Sequence, residues 1–182
     1  MDNTSEQHSL YLVGFRIDAD RVEPQVFTVY IEGERPIFRD GQPILFTQPT
    51  LAPAALAISN CGASAYGAAP TELNCVFDLP SAIYVLAEEN EAPDGETLDC
   101  INILLDFANH MDETIPVEYR SCLESLADHL TFNKEFAHFL IERGIDRRLI
   151  MDAVYWVVGA ICCNVKFVDA HNRRESIEEP KT

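Results

Sequence analysis

Cys61 is the residue whose neighbours best suit covalent chemistry. It follows a predicted helix, in the segment Asn60-Cys61-Gly62-Ala63-Ser64, where backbone N–H groups could be free. A nucleophilic cysteine needs a nearby base and surroundings that favour the thiolate. The base would be a histidine of the C-terminal half, such as His110, and no spacing in the sequence positions it. A structural role is therefore the favoured interpretation of Cys61.

Asp106 and His110 form a second candidate pair. They lie four residues apart on a predicted helix, so their side chains share one face of it. Together with His129 or His138 from neighbouring helices they would make a candidate metal site in a helical bundle. The favoured alternative is a surface ion pair, with histidines near helix ends. We therefore predict neither a metal site nor a cofactor.

Motifs that would mark an enzyme are missing from the sequence. It contains no Gly-x-Ser-x-Gly, no Cys-x-x-Cys, and neither a Gly-x-Gly-x-x-Gly nor a Walker-type phosphate-binding loop. Whether the protein is an enzyme thus stays uncertain at this point, and the pattern favours a non-catalytic protein.

The charge of the chain is strongly negative. Its 182 residues carry 30 Asp and Glu against 13 Lys and Arg, for a formal net charge of -17. Such a surface repels a phosphate backbone, so nucleic acid is a poor partner. A basic protein, by contrast, would be drawn to it by electrostatic steering.

The termini and the cysteines favour a soluble cytoplasmic protein. The segment Met1-Asp2-Asn3-Thr4-Ser5-Glu6 lacks the basic and apolar regions of a secretory signal. The longest apolar run, 153–163, is far shorter than the roughly 20 residues that span a membrane. We expect six reduced and mostly buried thiols, because the chain is large enough to build a core without disulfides.

The hydrophobic pattern predicts an α+β fold. Residues 10–17, 25–32 and 36–46 resemble strands of an N-terminal antiparallel sheet, with Asp40-Gly41 as a tight hairpin turn. Two helices are predicted near 51–59 and 82–90, with a strand at 73–77 between them. A bundle of about four helices then follows, and its last helix, ending at Cys163, is apolar from Ala153 onward and should be central.

The acidic segment 88–96, which carries Pro93 and Gly95, is the predicted boundary in this chain. It divides the sequence into a β-rich half (1–92) and a helical half (93–169), followed by a polar tail (170–182).

One long segment, 41–71, contains no charged residue although 24% of the chain is charged. It is either core between the two halves or an apolar surface for a partner. Phe46, Leu51 and Tyr66 are its candidate contact residues.

Three functions are compatible with these patterns. The leading hypothesis is a non-catalytic acidic protein that binds a protein partner, as immunity proteins, adaptors and chaperones do, and the charge of the chain favours a basic partner. The second is a small enzyme or ligand-binding domain that uses Cys61 and a histidine in a pocket between the two halves. The third is a structural subunit of a homo-oligomer.

Overall fold

The computed structural model describes residues 9–33, 35–61, 68–88, 93–111, 114–132 and 136–169. The strands are β1 (Leu10–Arg16), β2 (Val26–Ile31), β3 (Arg35–Pro36), β4 (Phe38–Arg39), β5 (Gln42–Phe46), β6 (Leu73–Asp78) and β7 (Lys166–Val168). After a 3-10 turn at Pro49–Leu51, the helices are α1 (Ala52–Ile58), α2 (Leu79–Ala87), α3 (Gly95–His110), α4 (Val117–Phe132), α5 (Phe136–Arg143) and α6 (Arg147–Asn164). The predicted α+β class is confirmed.

The seven strands form one sheet in the order β4-β5-β2-β1-β6, with β3 beside β2 and β7 beside β5. The predicted antiparallel arrangement holds for the pairs among β1 to β5. It is wrong for the sheet as a whole, because β6 is parallel to β1 and β7 is parallel to β5. Both strands return after a helix, and such a crossover allows parallel pairing.

The hairpin predicted at Asp40-Gly41 is present between β4 and β5. Asp40 and Gly41 both have positive φ angles, 52° and 73°. Positive φ at two successive residues is what a two-residue hairpin turn requires, and Asp-Gly supplies it at low cost. This turn places Ile44, Leu45 and Phe46 of β5 in the core.

Aspartate side chains begin the helices that border the sheet. Asp78, Asp94 and Asp146 each accept a hydrogen bond from a backbone N–H in the first turn of α2, α3 and α6. An aspartate at this position satisfies a donor that would otherwise have no partner in the helix. Gly144, at φ 61°, ends α5, because glycine takes this left-handed conformation without steric cost.

The sheet lies between two apolar layers. Its face toward α2–α6 carries Val13, Phe15 and Val26, which join the larger core cluster. The opposite face carries Leu12 and Phe27, which pack on α1 in a smaller cluster. Because side chains alternate along a strand, adjacent residues of β1 supply both layers.

Helix α6 contacts α2, α3, α4 and β5, as a central helix should. The prediction that it is buried on every face is nevertheless wrong. Tyr155 is 56% exposed, and Gly159 and Cys163 are exposed as well. These three residues can be exposed at little cost, because glycine and cysteine expose little apolar area and tyrosine carries a polar hydroxyl group.

The cysteines are all free, as expected for reduced thiols. The expectation that most are buried is wrong, since only Cys100 and Cys122 are buried, while Cys75, Cys162 and Cys163 are exposed.

Strand β7 connects the two predicted halves of the chain. It belongs to the segment 93–169 but pairs with β5 through Ile44–Phe46. Residues 89–92 of the predicted boundary and the tail from 170 lie outside the described residues. Among the described helices, none combines the length and apolar character needed to cross a bilayer.

Gly14 in β1 has no room for a larger side chain. A Cβ atom there would lie 3.0 Å from Pro24 Cβ, 3.1 Å from Pro24 Cγ and 3.2 Å from Leu73 Cδ1. We expect Gly14→Ala to lower the free energy of unfolding by about 1–3 kcal/mol in urea titrations, because the rigid proline ring cannot move aside cheaply.

The matched control is Gly159→Ala in α6, where a Cβ would meet nothing within 4 Å. Alanine is the better helix former, so this change should stabilise the protein by about 0.5–1 kcal/mol. A Gly14→Ala protein as stable as the wild type would contradict the close packing of Pro24 on β1.

Candidate functional site

A cavity of about 600 Å³ lies between strands β1, β2 and β6 and helix α3. We call it the acidic cleft. Its sheet wall is formed by side chains of Tyr11, Val13, Tyr30, Cys75 and Phe77. Its helix wall is formed by a polar stripe along α3, whose members are spaced three or four residues apart, together with Ile103. The stripe consists of Glu96, Asp99, Asn102 and Asp106.

The charge of this cleft is negative. Four carboxylates line it, Asp78, Glu96, Asp99 and Asp106, and Arg16 is the cationic residue among the lining side chains. Arg16 is already paired, because its Nη1 atom lies 2.9 Å from Oδ2 of Asp78 and both side chains are three-quarters buried. The three carboxylates of α3 therefore dominate the potential of the cleft.

Asp106 and Tyr30 form a half-buried polar contact in the cleft. The Tyr30 hydroxyl donates to Oδ2 of Asp106 at 2.6 Å. Burial raises the pKa of Asp106 above its usual 3.8, although the hydrogen bond from Tyr30 and the charge of His110 act in the opposite direction. Burial and the neighbouring carboxylate likewise raise the pKa of Tyr30, so the phenol remains a proton donor at neutral pH.

His110 does not form the carboxylate–imidazole pair that its spacing from Asp106 suggested. Its Nδ1–H donates instead to the backbone carbonyl of Asp106, at 2.8 Å. Its ring packs against Phe38, with 5.9 Å between the ring centroids. The Asp106 carboxylate is taken by Tyr30, so the structure provides no acid–base pair at these two residues.

Cys61 and His110 pack against different core clusters. Cys61 packs against the smaller cluster together with residues such as Leu56, whereas His110 contacts Phe38 of the larger cluster. Neither side chain lines the acidic cleft. The cysteine–histidine pair stays a prediction from the sequence.

The candidate contact residues of the uncharged segment are not a surface. Phe46 is fully buried and Leu51 is 2% exposed, because both fill the smaller cluster beneath α1. Tyr66 lies outside the described residues. Phe46 and Leu51 therefore belong to the core and not to an exposed interface, which was one of the two alternatives for segment 41–71.

Cys75 is a cleft residue that the sequence analysis did not single out. Although the residue is exposed overall, its thiol is partly desolvated in the cleft, and this desolvation, and then the charge of Asp99, raise the pKa of the thiol. A raised pKa keeps the sulfur protonated, and a thiol is a much weaker nucleophile than a thiolate. Cys75 and Asp99 line the same cleft from β6 and α3.

The cleft could have been recognised from one signal in the sequence. Glu96, Asp99, Asn102 and Asp106 follow helical spacing and therefore mark a polar stripe on α3. What the spacing cannot show is that strand β6 stands opposite.

A second cavity, of about 210 Å³, lies between the sheet and α6. We call it the apolar cavity, because every residue that lines it is apolar: Phe15, Ile17, Val26, Leu45, Leu79, Leu104, Phe107, Val158, Ile161, Cys162, Val165 and Phe167. Both cavities are between sheet and helices, where the second hypothesis placed a pocket, yet neither is lined by Cys61 or by a histidine.

Potential metal ligands do not converge. Within the described ranges, no three His, Cys, Asp or Glu side chains are grouped so that they could hold a metal ion. His138 instead pairs with Glu142 at 3.3 Å on α5, and the ring of His129 packs against Phe139.

Comparisons of the chain with protein-family models, with curated proteins and with solved structures found no match.

The burial of Asp106 makes the stability of the protein depend on pH. Because the native pKa of Asp106 is raised above 3.8, the native state holds this proton more tightly than the unfolded chain. That contribution to stability is complete below pH 3.8 and is lost as the pH rises through the native pKa. Asp106→Asn keeps an acceptor for Tyr30 but has no carboxyl group to ionise, so it does not lose stability in this way. The urea midpoint of the variant minus that of the wild type should therefore increase from about pH 3.5 to about pH 7.

Tyr30→Phe is the complementary variant. It removes the hydrogen bond that lowers the pKa of Asp106, so carbon-detected NMR titration should show a higher Asp106 pKa than in the wild type. If the urea midpoints of Asp106→Asn and wild type differed by the same amount at about pH 3.5 and about pH 7, the desolvation of the Asp106 carboxylate would be contradicted.

Proposed function

We propose that this protein is a non-catalytic binding protein for a basic protein partner, and that the acidic cleft receives lysine or arginine side chains of that partner. The observation that carries the proposal is the composition of the cleft. It holds four carboxylates and a single guanidinium, which is already paired with Asp78.

Asp78 and Asp106 are half-buried, whereas Glu96 and Asp99 are exposed at the opening of the cleft. An exposed ion pair is worth little in water, whereas a pair with a half-buried carboxylate is less screened and its interaction is stronger. The raised pKa of Asp106 reflects the cost of a charge in its position. A cation in the cleft would offset that cost, so binding and the ionisation of Asp106 favour each other.

The charge of the whole chain acts at longer range. At -17 the protein attracts basic molecules over distances comparable to the Debye length, about 8 Å at physiological salt. Steering of this kind accelerates encounter, while the cleft holds the bound state together.

The side chains of the cleft fit binding better than catalysis. Its cysteine, Cys75, has a raised pKa, and its tyrosine at the Asp106 contact is held as a donor. Neither is activated as a nucleophile or as a general base.

Neutralising two cleft carboxylates should weaken the binding of a cationic probe. We expect Glu96→Gln combined with Asp99→Asn to reduce the affinity for a fluorescein-labelled oligolysine peptide about five- to tenfold, measured by fluorescence anisotropy at low salt. This loss of affinity should become smaller as the salt concentration is raised, because salt screens the attraction between the peptide and the carboxylates of the cleft.

The control is Glu118→Gln combined with Asp128→Asn on α4, which changes the net charge equally at exposed positions outside the cleft. Affinity should change by less than about twofold. Equal losses in both double variants would show that the peptide responds to net charge alone, and the cleft would then not be the site.

We infer a second candidate function from the apolar cavity, namely the binding of a small apolar molecule. Its volume, about 210 Å³, is in the range of cavities that take up a single aromatic ring, and its lining offers no hydrogen bond to a polar ligand. Ile17, Cys162 and Phe167 of its lining are exposed, so the cavity opens to solvent and is accessible to such a molecule.

Toluene is the probe for this cavity. We expect it to raise the Tm of the wild type and to shift the methyl NMR signals of Val158 and Ile161.

Val158→Phe fills the cavity and should reduce toluene affinity about tenfold, which corresponds to about 1.4 kcal/mol. Val117→Phe adds the same atoms at a position that is 78% exposed and should leave binding unchanged. A wild-type protein insensitive to toluene would remove this candidate function.

A further inference from the structure

Strand β6 stands at the end of the sheet with one edge open. In the strand order β4-β5-β2-β1-β6 its inner neighbour is β1, and no described strand pairs with its outer edge. Residues Leu73 to Val76 are all exposed, with Leu73 at 40% and Val76 at 44%. No backbone hydrogen bond from another described segment reaches this edge.

An open edge of this kind is a template for another strand. Its outward N–H and C=O groups are free to pair, and natural proteins usually protect such edges with lysine, proline or a bulge that twists the edge away. The β6 sequence, Leu73-Asn74-Cys75-Val76-Phe77-Asp78, contains neither lysine nor proline.

The irregularity of β6 is on its inner side. The register with β1 shifts between Leu12 and Val13, so Asn74 is left without a pairing partner in β1. The Asn74 side chain compensates, because its Oδ1 accepts from the N–H of Leu12 at 2.7 Å. The bulge is thus satisfied within the sheet.

The charge next to this edge selects the occupant. Glu96 and Asp99 of α3 line the same acidic cleft as Asn74, Cys75 and Val76 of β6, so their carboxylates lie beside this strand. A second acidic strand would be repelled here, whereas a basic one would be attracted.

We propose that β6 takes up an extended basic segment of the partner as an additional strand of the sheet, with lysine or arginine at every second position pointing into the acidic cleft. This inference rests on the proposed function, since it specifies how the partner is bound. The backbone of the segment pairs with the outer edge of β6, as in strand-addition complexes, and alternate side chains give specificity.

Two peptides test this mode of binding on the unaltered protein. The first has about nine residues with lysine alternating with valine, and the second has the same sequence with its backbone amides N-methylated. The second keeps every charge but cannot donate to β6. We expect the first to bind at least about tenfold more tightly, and to slow amide hydrogen exchange in β6 about tenfold or more.

The outcomes separate this inference from the proposed function. If both peptides bind with equal affinity, or if β6 exchange is unchanged by the first, strand addition is wrong while the cleft remains a cation site. If neither peptide binds at low salt, the proposed function fails as well. Affinity for the first peptide should also fall in the Glu96→Gln, Asp99→Asn protein and not in the α4 control.

Discussion

The parallel pairing of β1 with β6 determines where the polar residues of this protein meet. The last pair of this register joins Arg16 to Asp78, and the same two side chains form the ion pair of the cleft. Asp78 also begins α2, so the strand passes into a helix without an intervening loop. Because β6 is the outermost strand, α3 packs on it with one side still open, and the polar stripe of α3 lines that opening.

Local chemistry made much of the fold predictable. The turn at Asp40-Gly41, the helix starts at Asp78 and Asp146 and the stop at Gly144 each depend on a few neighbouring residues, and each is present. The sheet could not be completed in the same way, because β7 is three residues long and exists only by pairing with β5. Its pairing joins residues more than a hundred positions apart, and nothing near Lys166 specifies it.

The candidate site shows the same division between local and long-range information. The stripe Glu96, Asp99, Asn102 and Asp106 is visible in the sequence as helical spacing. That Tyr30 would take the Asp106 carboxylate, leaving His110 to a backbone carbonyl, depends on the packing of β2 against α3. Similarly, no spacing in the sequence relates Cys61 to His110, and only the folded chain shows that they pack against different core clusters.

The acidic residues beside β6 have opposite effects on two kinds of partner. An open strand edge invites a second copy of the same chain, which is the usual route to edge-to-edge aggregation. Pairing two copies through β6 would bring the carboxylates of two clefts together, each copy carrying a net charge of -17. Like charges across neighbouring strands are destabilising, so the cleft discourages self-association at this edge. In the proposed mode of binding, the same carboxylates would stabilise a strand that carries lysine or arginine, so one cluster of charges would both protect the edge and select its partner.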